Sequence, residues 1–277
     1  MMPPSGRRQS RPPDNPSRGA PDHACGLTPR VGALPRLTCE RADQSFVEVV
    51  AKFSGACDRN DASLAMEVVG ACLAADLGLP VPRPYLLDVQ PAWVATVTDI
   101  ERRNVMLRSA PFAFGSTQAG PGFRVWTTVD RLADTMLPTA AGIFAFDAFI
   151  NNVDRRSDNP NCLVKGSDLR IFDHELAFLY KGILFWREPW QAGALAPFAT
   201  PGRHIFYEGL KGRDDVDFGP IRQAWSSIDD GRLAAYKACI PAAWSTAAPA
   251  VDDAISLIQG VRDHIDAALA EVRRVLT

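Results

Sequence analysis

The chain has 277 residues, of which 47% are hydrophobic and 22% are charged, a composition typical of a globular protein with a sizeable core. Its net charge of −2 excludes the strongly basic surface that nucleic-acid binding requires. No apolar run approaches the roughly 20 residues of a membrane-spanning helix, and no stretch at the start has a signal-peptide pattern. The six scattered cysteines form no Cys-x-x-Cys pair, which indicates reduced thiols and predicts a cytoplasmic protein.

The beginning of the chain has a different composition from the rest. Residues 1–24 are rich in Pro, Arg, Ser and Asp and contain almost no apolar side chains. Such a segment cannot bury enough apolar surface to offset the entropy of ordering, so it is predicted to be a disordered tail. Ordered structure is expected to begin near Leu27.

A strand followed by a helix is predicted next. Residues 45–53 alternate as a strand should, and Lys52 projects away from the apolar face. A helix is predicted over 62–77, with Asp61 as its cap. The apolar face of the strand consists of Val47, Val49, Ala51 and Phe53.

One acidic residue lies within this apolar helix. Glu67 is flanked by apolar side chains on both sides, and burying a carboxylate without a partner is costly. Lys52 on the preceding strand is the obvious partner. The alternative is that both residues are solvent-facing charges on separate elements.

Three more strand segments and a glycine-rich connection are predicted before the middle of the chain. The strands are expected at 83–89 and 92–98, with part of another at 104–108. The connection at 112–123 contains several glycines and small polar residues. No helix clearly follows it, so it is not a phosphate-binding loop at a helix N-terminus.

The second half of the chain is predicted to be mainly helical. Residues 138–150 are almost entirely apolar and predict a buried helix. Asp147 lies inside that helix and is interpreted as a structural acid tied to Arg155 or Arg156. Further helices are predicted at 221–228, 231–239 and 251–275.

A short hairpin with acids and amides at its open end follows the apolar helix. Strands are predicted at 162–164 and 169–172, with Gly166 free to adopt a positive φ in the turn. Pairing these strands brings Asn159 or Asn161 close to Asp173.

Asp154 lies on the loop just before that hairpin. Hard oxygen ligands gathered in this way suit Mg²⁺ bound to phosphates, and a second Asp can receive a proton from an attacking hydroxyl. The pattern indicates a phosphotransferase. The alternative is a polar hairpin whose Asn and Asp residues merely cap turns.

These residues carry a resemblance to a known family. Asp-Arg-x-x-x-Asn at 154–159, a hydrophobic strand, and Asp-His-Glu-x-Ala-Phe at 173–178 resemble the catalytic and metal-binding loops of HipA-like kinases, within the protein-kinase-like superfamily. The same segments are similar to the catalytic loop of type II phosphatidylinositol 4-kinases. The strand Lys52 followed by the helix Glu67 extends the resemblance upstream.

The resemblance implies an α+β, two-lobed protein-kinase-like fold over residues 25–277. A small lobe of sheet and helix is expected at about 27–114, and a mainly helical lobe at about 124–277. Residues 112–123 would then form the hinge, whose backbone could bind adenine. The alternative is that this segment is a simple connection between the lobes.

The resemblance also implies the cofactors ATP and Mg²⁺ and a role for each site residue. Lys52 would contact the nucleotide phosphates and Glu67 would hold Lys52. Asp154 would be the catalytic Asp, and Asp173 would bind metal. The acceptor would be a hydroxyl group, with a protein serine or threonine favoured.

The amide ligand of the metal has two candidates. Asn159 has the family's five-residue spacing from Asp154, whereas Asn161 lies directly before the strand. Asn159 is favoured.

Two departures from ordinary protein kinases keep other functions open. No Gly-x-Gly-x-x-Gly motif precedes Lys52, and Asn-Val-Asp-Arg at 152–155 stands where a His-Arg-Asp motif would be. One alternative is a nucleotide-binding pseudokinase or interaction module without turnover. Another is a lipid kinase, although no basic or amphipathic membrane surface supports it.

Overall fold

A computed structural model describes residues 22–30, as backbone only, and residues 35–277. Residues 1–21 of the predicted tail (residues 1–24) lie outside the described residues, and strand structure begins at Asp22, earlier than the expected start near Leu27. Mixed helix and sheet form two lobes, as the α+β prediction requires.

The smaller lobe is built on a five-stranded sheet that curls closed. The strands follow the order β1-β2-β3-β5-β4, and β4 also pairs with β1 in parallel. Val49 and Ala51 of β3 are fully buried inside this sheet, whereas Lys52 faces the other way, which confirms the predicted alternation. The strands are β1 (Asp22–Arg30), β2 (Arg36–Arg41), β3 (Phe46–Lys52), β4 (Pro84–Asp88) and β5 (Phe112–Thr117).

Helix α1 (Asp61–Asp76) connects the two lobes. Every residue from 63 to 74 is buried, because one side of the helix packs on the sheet and the other on the larger lobe. Its start differs from the prediction: Asn60 is the N-cap residue, and Asp61 is the first helical residue. There the Asp61 carboxylate still faces the positive end of the helix dipole.

Two predicted strands between β4 and β5 are wrong. Residues 91–94 form a short helix, α2 (Pro91–Val94), and the 104–108 segment belongs to α3 (Ile100–Leu107). The Asp99 side chain caps α3 by accepting hydrogen bonds from the backbone N–H groups of Glu101 and Arg102, at 3.0 and 3.1 Å. Short apolar runs do not distinguish strand from helix by periodicity, and the cap was the overlooked signal.

The larger lobe begins with a small sheet and a buried helix. The sheet has the order β6-β7-β8, and its β7–β8 hairpin agrees with the prediction, with Gly166 at φ +59° in the turn. Cys162 pairs with Ile171 in that hairpin. The apolar helix is also present, with nearly all of its residues buried. These elements are β6 (Arg124–Val125), α4 (Leu137–Phe149), β7 (Cys162–Lys165) and β8 (Asp168–Ile171).

Five further helices complete this lobe. The predicted helix at 251–275 is interrupted at His264, which separates α8 from α9. Helix α1 is fastened to this group, because Asp76 at its end forms an ion pair with Arg232 and accepts a hydrogen bond of 2.5 Å from the Tyr236 hydroxyl. The helices are α5 (Tyr207–Leu210), α6 (Gly219–Ser226), α7 (Asp230–Ala238), α8 (Ala248–Asp263) and α9 (Ile265–Leu276).

Candidate active site

A cleft lies between the lobes, lined by residues of both. One end of the cleft is formed by Ser116, Thr117 and Ala119. These residues belong to the predicted hinge, whose first half is strand β5 and whose second half is a loop. The adjoining walls are mostly apolar and include Val50, Ala71, Val81, Phe114, Leu163 and Phe172.

The other end of the cleft holds a cluster of charged side chains around Lys52. The Lys52 Nζ atom lies 2.5 Å from Glu67 Oε1, 2.7 Å from Asp173 Oδ1 and 3.2 Å from Glu175 Oε2. The predicted contact between Lys52 and Glu67 is therefore present. Because Asp173 belongs to the larger lobe, the same lysine also joins the two lobes.

The two main carboxylates of this cluster have opposite pKa shifts. Burial raises the pKa of Glu67, but the charges of Lys52 and His174 and their hydrogen bonds together outweigh burial and lower the pKa to about 2. The pKa of Asp173 is raised to about 6, first by burial and then by repulsion from Glu67. A second cation beside Asp173 would offset both the burial and the repulsion from Glu67 and would favour the ionised form of Asp173.

The second oxygen of Glu67 binds the loop that carries Asp173. The backbone N–H of His174 donates a hydrogen bond of 2.9 Å to Glu67 Oε2. One buried carboxylate therefore fixes both the lysine and the residue next to Asp173. Only the first of these contacts was predicted from the sequence.

His174 is wedged between two helices. It is almost fully buried, and its ring packs edge-on against Phe146 of α4, with centroids 5.7 Å apart. On the α1 side it approaches Gly70 so closely that a methyl group there would lie 2.6 Å from His174 Cβ. Gly70 is thus required by the close approach of the Asp173 loop. The available signal was a glycine three residues after Glu67 in an otherwise strongly helical segment.

Asp154 lies at the centre of a group of amides. Its Oδ2 atom accepts hydrogen bonds from Asn159 Nδ2 at 2.7 Å and from Asn161 Nδ2 at 3.1 Å. Asn161 is also adjacent to Asp173, because its backbone carbonyl accepts a hydrogen bond from Phe172 N–H. Each asparagine donates to Asp154 through its amide nitrogen, and each also has an amide oxygen, a type of atom that ligates Mg²⁺. Both candidates therefore keep the predicted metal role.

A buried ion pair positions this loop. Arg155 and Asp147 are both fully buried, and Arg155 Nε lies 2.6 Å from Asp147 Oδ2. The Arg155 Nη1 atom also donates to the backbone carbonyls of Asn161 and Phe172, the second at 3.1 Å. The guanidinium thus ties helix α4 to the open end of the β7–β8 hairpin, at Asn161 before β7 and at Phe172 after β8. The prediction that Asp147 has a structural role is supported, with Arg155 as its partner.

Two further side chains complete the environment of Asp147. Asn152 Nδ2 donates to Asp147 Oδ1 at 2.7 Å, and His204 Nε2 lies 3.1 Å from Asp147 Oδ2. Because His204 Nδ1 accepts the N–H of Phe206, its Nε2 carries the proton and donates to Asp147. Burial lowers the pKa of His204, which favours this neutral form. His204 is 57 residues from Asp147 in sequence, so no local pattern indicates this contact.

The acidic cluster has the chemistry of a metal site. One carboxylate oxygen each from Glu67, Asp173 and Glu175 lie within 4.8 Å of one another. Mg²⁺ prefers such hard oxygen ligands, and a cation there would favour the ionised form of Asp173. Because the Lys52 ammonium already contacts all three carboxylates, Asp173 is the residue of this cluster that fits the implied metal, as a ligand beside the lysine.

The chain belongs to the HipA-like kinase family, whose model matches residues 35–182. This match covers both lobes of the cleft, from β2 to the segment after Asp173. No curated protein matches the sequence. Across the described residues, no helix combines the length and apolar character needed to cross a membrane. The family assignment makes the chain a member of a family of phosphotransferases.

We expect Asp147→Asn to destabilise the protein by about 3–5 kcal/mol, because it leaves the Arg155 charge buried without its counter-ion. The matched control is Asp158→Asn. Asp158 also pairs with an arginine, Arg156, at 3.0 Å, but its side chain is 75% exposed, so little change is expected. Chemical denaturation of both variants measures the difference. Equal losses would show that the buried pair does not organise this loop.

Gly70→Ala is expected to displace the Asp173 loop, because the new methyl group meets His174 Cβ. Alanine is the better helix former, so a gain in stability would follow if the space were open. We expect instead a loss of about 1–3 kcal/mol from overpacking. Gly120→Ala is the control, since a methyl group there meets nothing within 4 Å. The free energies of unfolding of the two variants measure the difference. A Gly70→Ala protein more stable than wild type would contradict the close approach of His174 to Gly70.

Proposed function

We propose that this protein is an ATP- and Mg²⁺-dependent kinase that transfers the γ-phosphoryl group to a hydroxyl acceptor, a serine or threonine of another protein. The observation that carries this proposal is the contact of Lys52 with both Glu67 and Asp173. It joins the proposed phosphate-binding lysine to the proposed metal-binding acid at one end of an interlobe cleft. The family assignment supports the same activity.

The two ends of the cleft suit different parts of the nucleotide. The apolar walls near Ser116 and Ala119 fit a planar base, and the neighbouring backbone offers hydrogen-bonding groups. Lys52 at the other end would bind phosphate oxygens. Asp173, with Asn159 or Asn161, would hold Mg²⁺, which neutralises charge on the phosphates.

Asp154 is proposed to orient the acceptor. Its Oδ2 atom accepts hydrogen bonds from the two asparagine side chains, whereas its Oδ1 atom lies 3.9 Å from Arg156 Nη2 and would accept the hydrogen bond of the acceptor hydroxyl. The acceptor oxygen would attack the γ-phosphorus, and the bond to the bridging oxygen of ADP would break. The hydroxyl proton would pass to Asp154. Because the carboxylate is already held by two donors, little reorganisation is needed during transfer.

We place this kinase in the cytoplasm. The described cysteines Cys39, Cys57, Cys72, Cys162 and Cys239 are all free thiols, as expected in a reducing compartment.

The metal assignment predicts that ATP binding requires a divalent cation. We expect a chelator to weaken ATP binding strongly in calorimetry, and we expect Asn159→Ala to reduce the metal-dependent part of the affinity. Asn161→Gly is the matched variant, because Asn161 has a positive φ of 44° that glycine tolerates. A larger loss from Asn161→Gly would transfer the role to Asn161. Equal ATP affinity with and without chelator would contradict the metal assignment.

Asp154→Asn distinguishes an enzyme from a nucleotide-binding pseudokinase. The change keeps the size of the side chain but removes the negative charge of the carboxylate that would receive the proton of the acceptor hydroxyl. We expect Mg-ATP affinity to stay within a few fold, whereas phosphoryl transfer should fall about 100-fold or more.

The measurements are melting temperature, nucleotide affinity and transfer of radiolabelled phosphate to protein or lipid. Loss of transfer alone supports the proposed role. A wild-type protein that binds Mg-ATP but transfers no phosphate to any acceptor would favour the pseudokinase, and transfer to lipid alone would favour the lipid kinase.

A further inference from the structure

A second cavity adjoins the cleft on the far side of Lys52. Lys52 and Asp173 line both spaces, so these two side chains form the boundary between them. The second cavity is also lined by Glu101 and Arg102 of α3 and by Glu175. It is therefore continuous with the proposed nucleotide site, and nothing in the roles assigned above uses it.

The cleft and the second cavity lie toward opposite ends of strand β5. The cleft touches Ser116 and Thr117 at the end of this strand, whereas the second cavity touches α3, which precedes its beginning. Lys52 pairs with Phe114 in the middle of β5. A nucleotide with its base at the hinge and its phosphates at Lys52 would therefore point its phosphate chain toward α3.

The two spaces also differ in chemistry. The cleft near the hinge has apolar walls, whereas the second cavity carries two basic and three acidic side chains. A base binds well between apolar side chains, and a phosphate chain requires cations. The charged cavity therefore suits phosphate together with a metal ion held by its carboxylates.

We propose that this second cavity holds the phosphate chain of the nucleotide and that Arg102 is a phosphate-binding residue, an inference that rests on the proposed function. Arg102 Nε lies 3.3 Å from Asp99 Oδ2, in an ion pair whose side chains are 30% and 49% exposed. Such a partly exposed pair contributes little to stability, so the Asp99 contact does not prevent the guanidinium from binding an anion. The planar guanidinium matches phosphate oxygens with two parallel hydrogen bonds.

Helix α3 is held firmly enough to present this side chain. The segment after the helix is bonded to the turn between β3 and α1, where Ser109 Oγ accepts the N–H of Gly55 at 2.9 Å. Ala110 N–H donates to Ser54 Oγ at 2.8 Å, and Arg108 Nε donates to the carbonyl of Gly55 at 3.1 Å. The helix is thus fixed to the end of the strand that carries Lys52.

The sequence explains why another phosphate-binding group is needed. No Gly-x-Gly-x-x-Gly motif precedes Lys52, so that source of backbone donors is missing. The helical insertion between β4 and β5 brings a guanidinium to the same end of the sheet. In this interpretation, the Arg102 side chain of α3 supplies part of the phosphate binding that a glycine-rich loop would provide.

The test compares Arg102→Gln with Arg103→Gln. Arg103 is the neighbouring residue of the same helix, but its Nη1 donates to the carbonyl of Val97 at 3.4 Å. Calorimetry with Mg²⁺ measures the affinity of the full-length protein for adenosine, ADP and ATP. Arg102→Gln should weaken ATP binding about tenfold or more and leave adenosine binding unchanged within about twofold. Arg103→Gln should behave as wild type toward all three.

The outcomes separate this inference from the proposed function. Equal loss of adenosine and ATP affinity in Arg102→Gln, or no difference from Arg103→Gln, would overturn the assignment of Arg102 while leaving the kinase proposal intact. A wild-type protein that does not bind ATP would overturn both. The melting temperature of each variant shows whether it is folded. The variant Arg102→Lys keeps the positive charge, so we expect it to recover part of the preference for ATP over adenosine that Arg102→Gln loses. Failure to recover any would count against phosphate binding.

Discussion

The arrangement of the candidate site depends on one buried cation. Arg155 is fully enclosed, and its charge is balanced by Asp147 of the apolar helix α4. Its Nη1 atom donates to the carbonyls of Asn161, directly before β7, and Phe172, directly after β8. An uncompensated charge at this depth would cost several kcal/mol, so the Asp154 loop is held in register with the hairpin. The positions of Asp154 and Asp173 therefore depend on the Arg155–Asp147 ion pair.

A second constraint joins the lobes. Glu67 uses one carboxylate oxygen for Lys52 and the other for the backbone of His174, so strand β3 and the Asp173 loop share one anchor. Helix α1, which carries Glu67, is in turn fastened to the larger lobe through Asp76. The lysine, the glutamate and the acid are therefore held together by contacts within the protein itself. This preorganisation suits phosphoryl transfer, which relies mainly on positioning and charge.

The sequence by itself determined the residue types of the site and the elements that carry them. Alternation in β3 directed Lys52 away from the core, and a lone carboxylate in an apolar helix required a partner, so the contact between Lys52 and Glu67 could be predicted. The β7–β8 hairpin was equally clear, because a glycine turn between short apolar strands places Asn161 beside Asp173. Strong local patterns specify these features, and the family pattern added the two-lobed fold.

Only the tertiary structure decided the contacts between segments distant in sequence. Nothing local marks His204 as the donor to Asp147, or Gly70 as the residue that admits His174 against α1. The helix α3 was missed because its short apolar run is ambiguous until the Asp99 cap and its packing are considered. Local periodicity reports which face of an element is buried, whereas close approach and long-range hydrogen bonds are fixed only when the elements pack together.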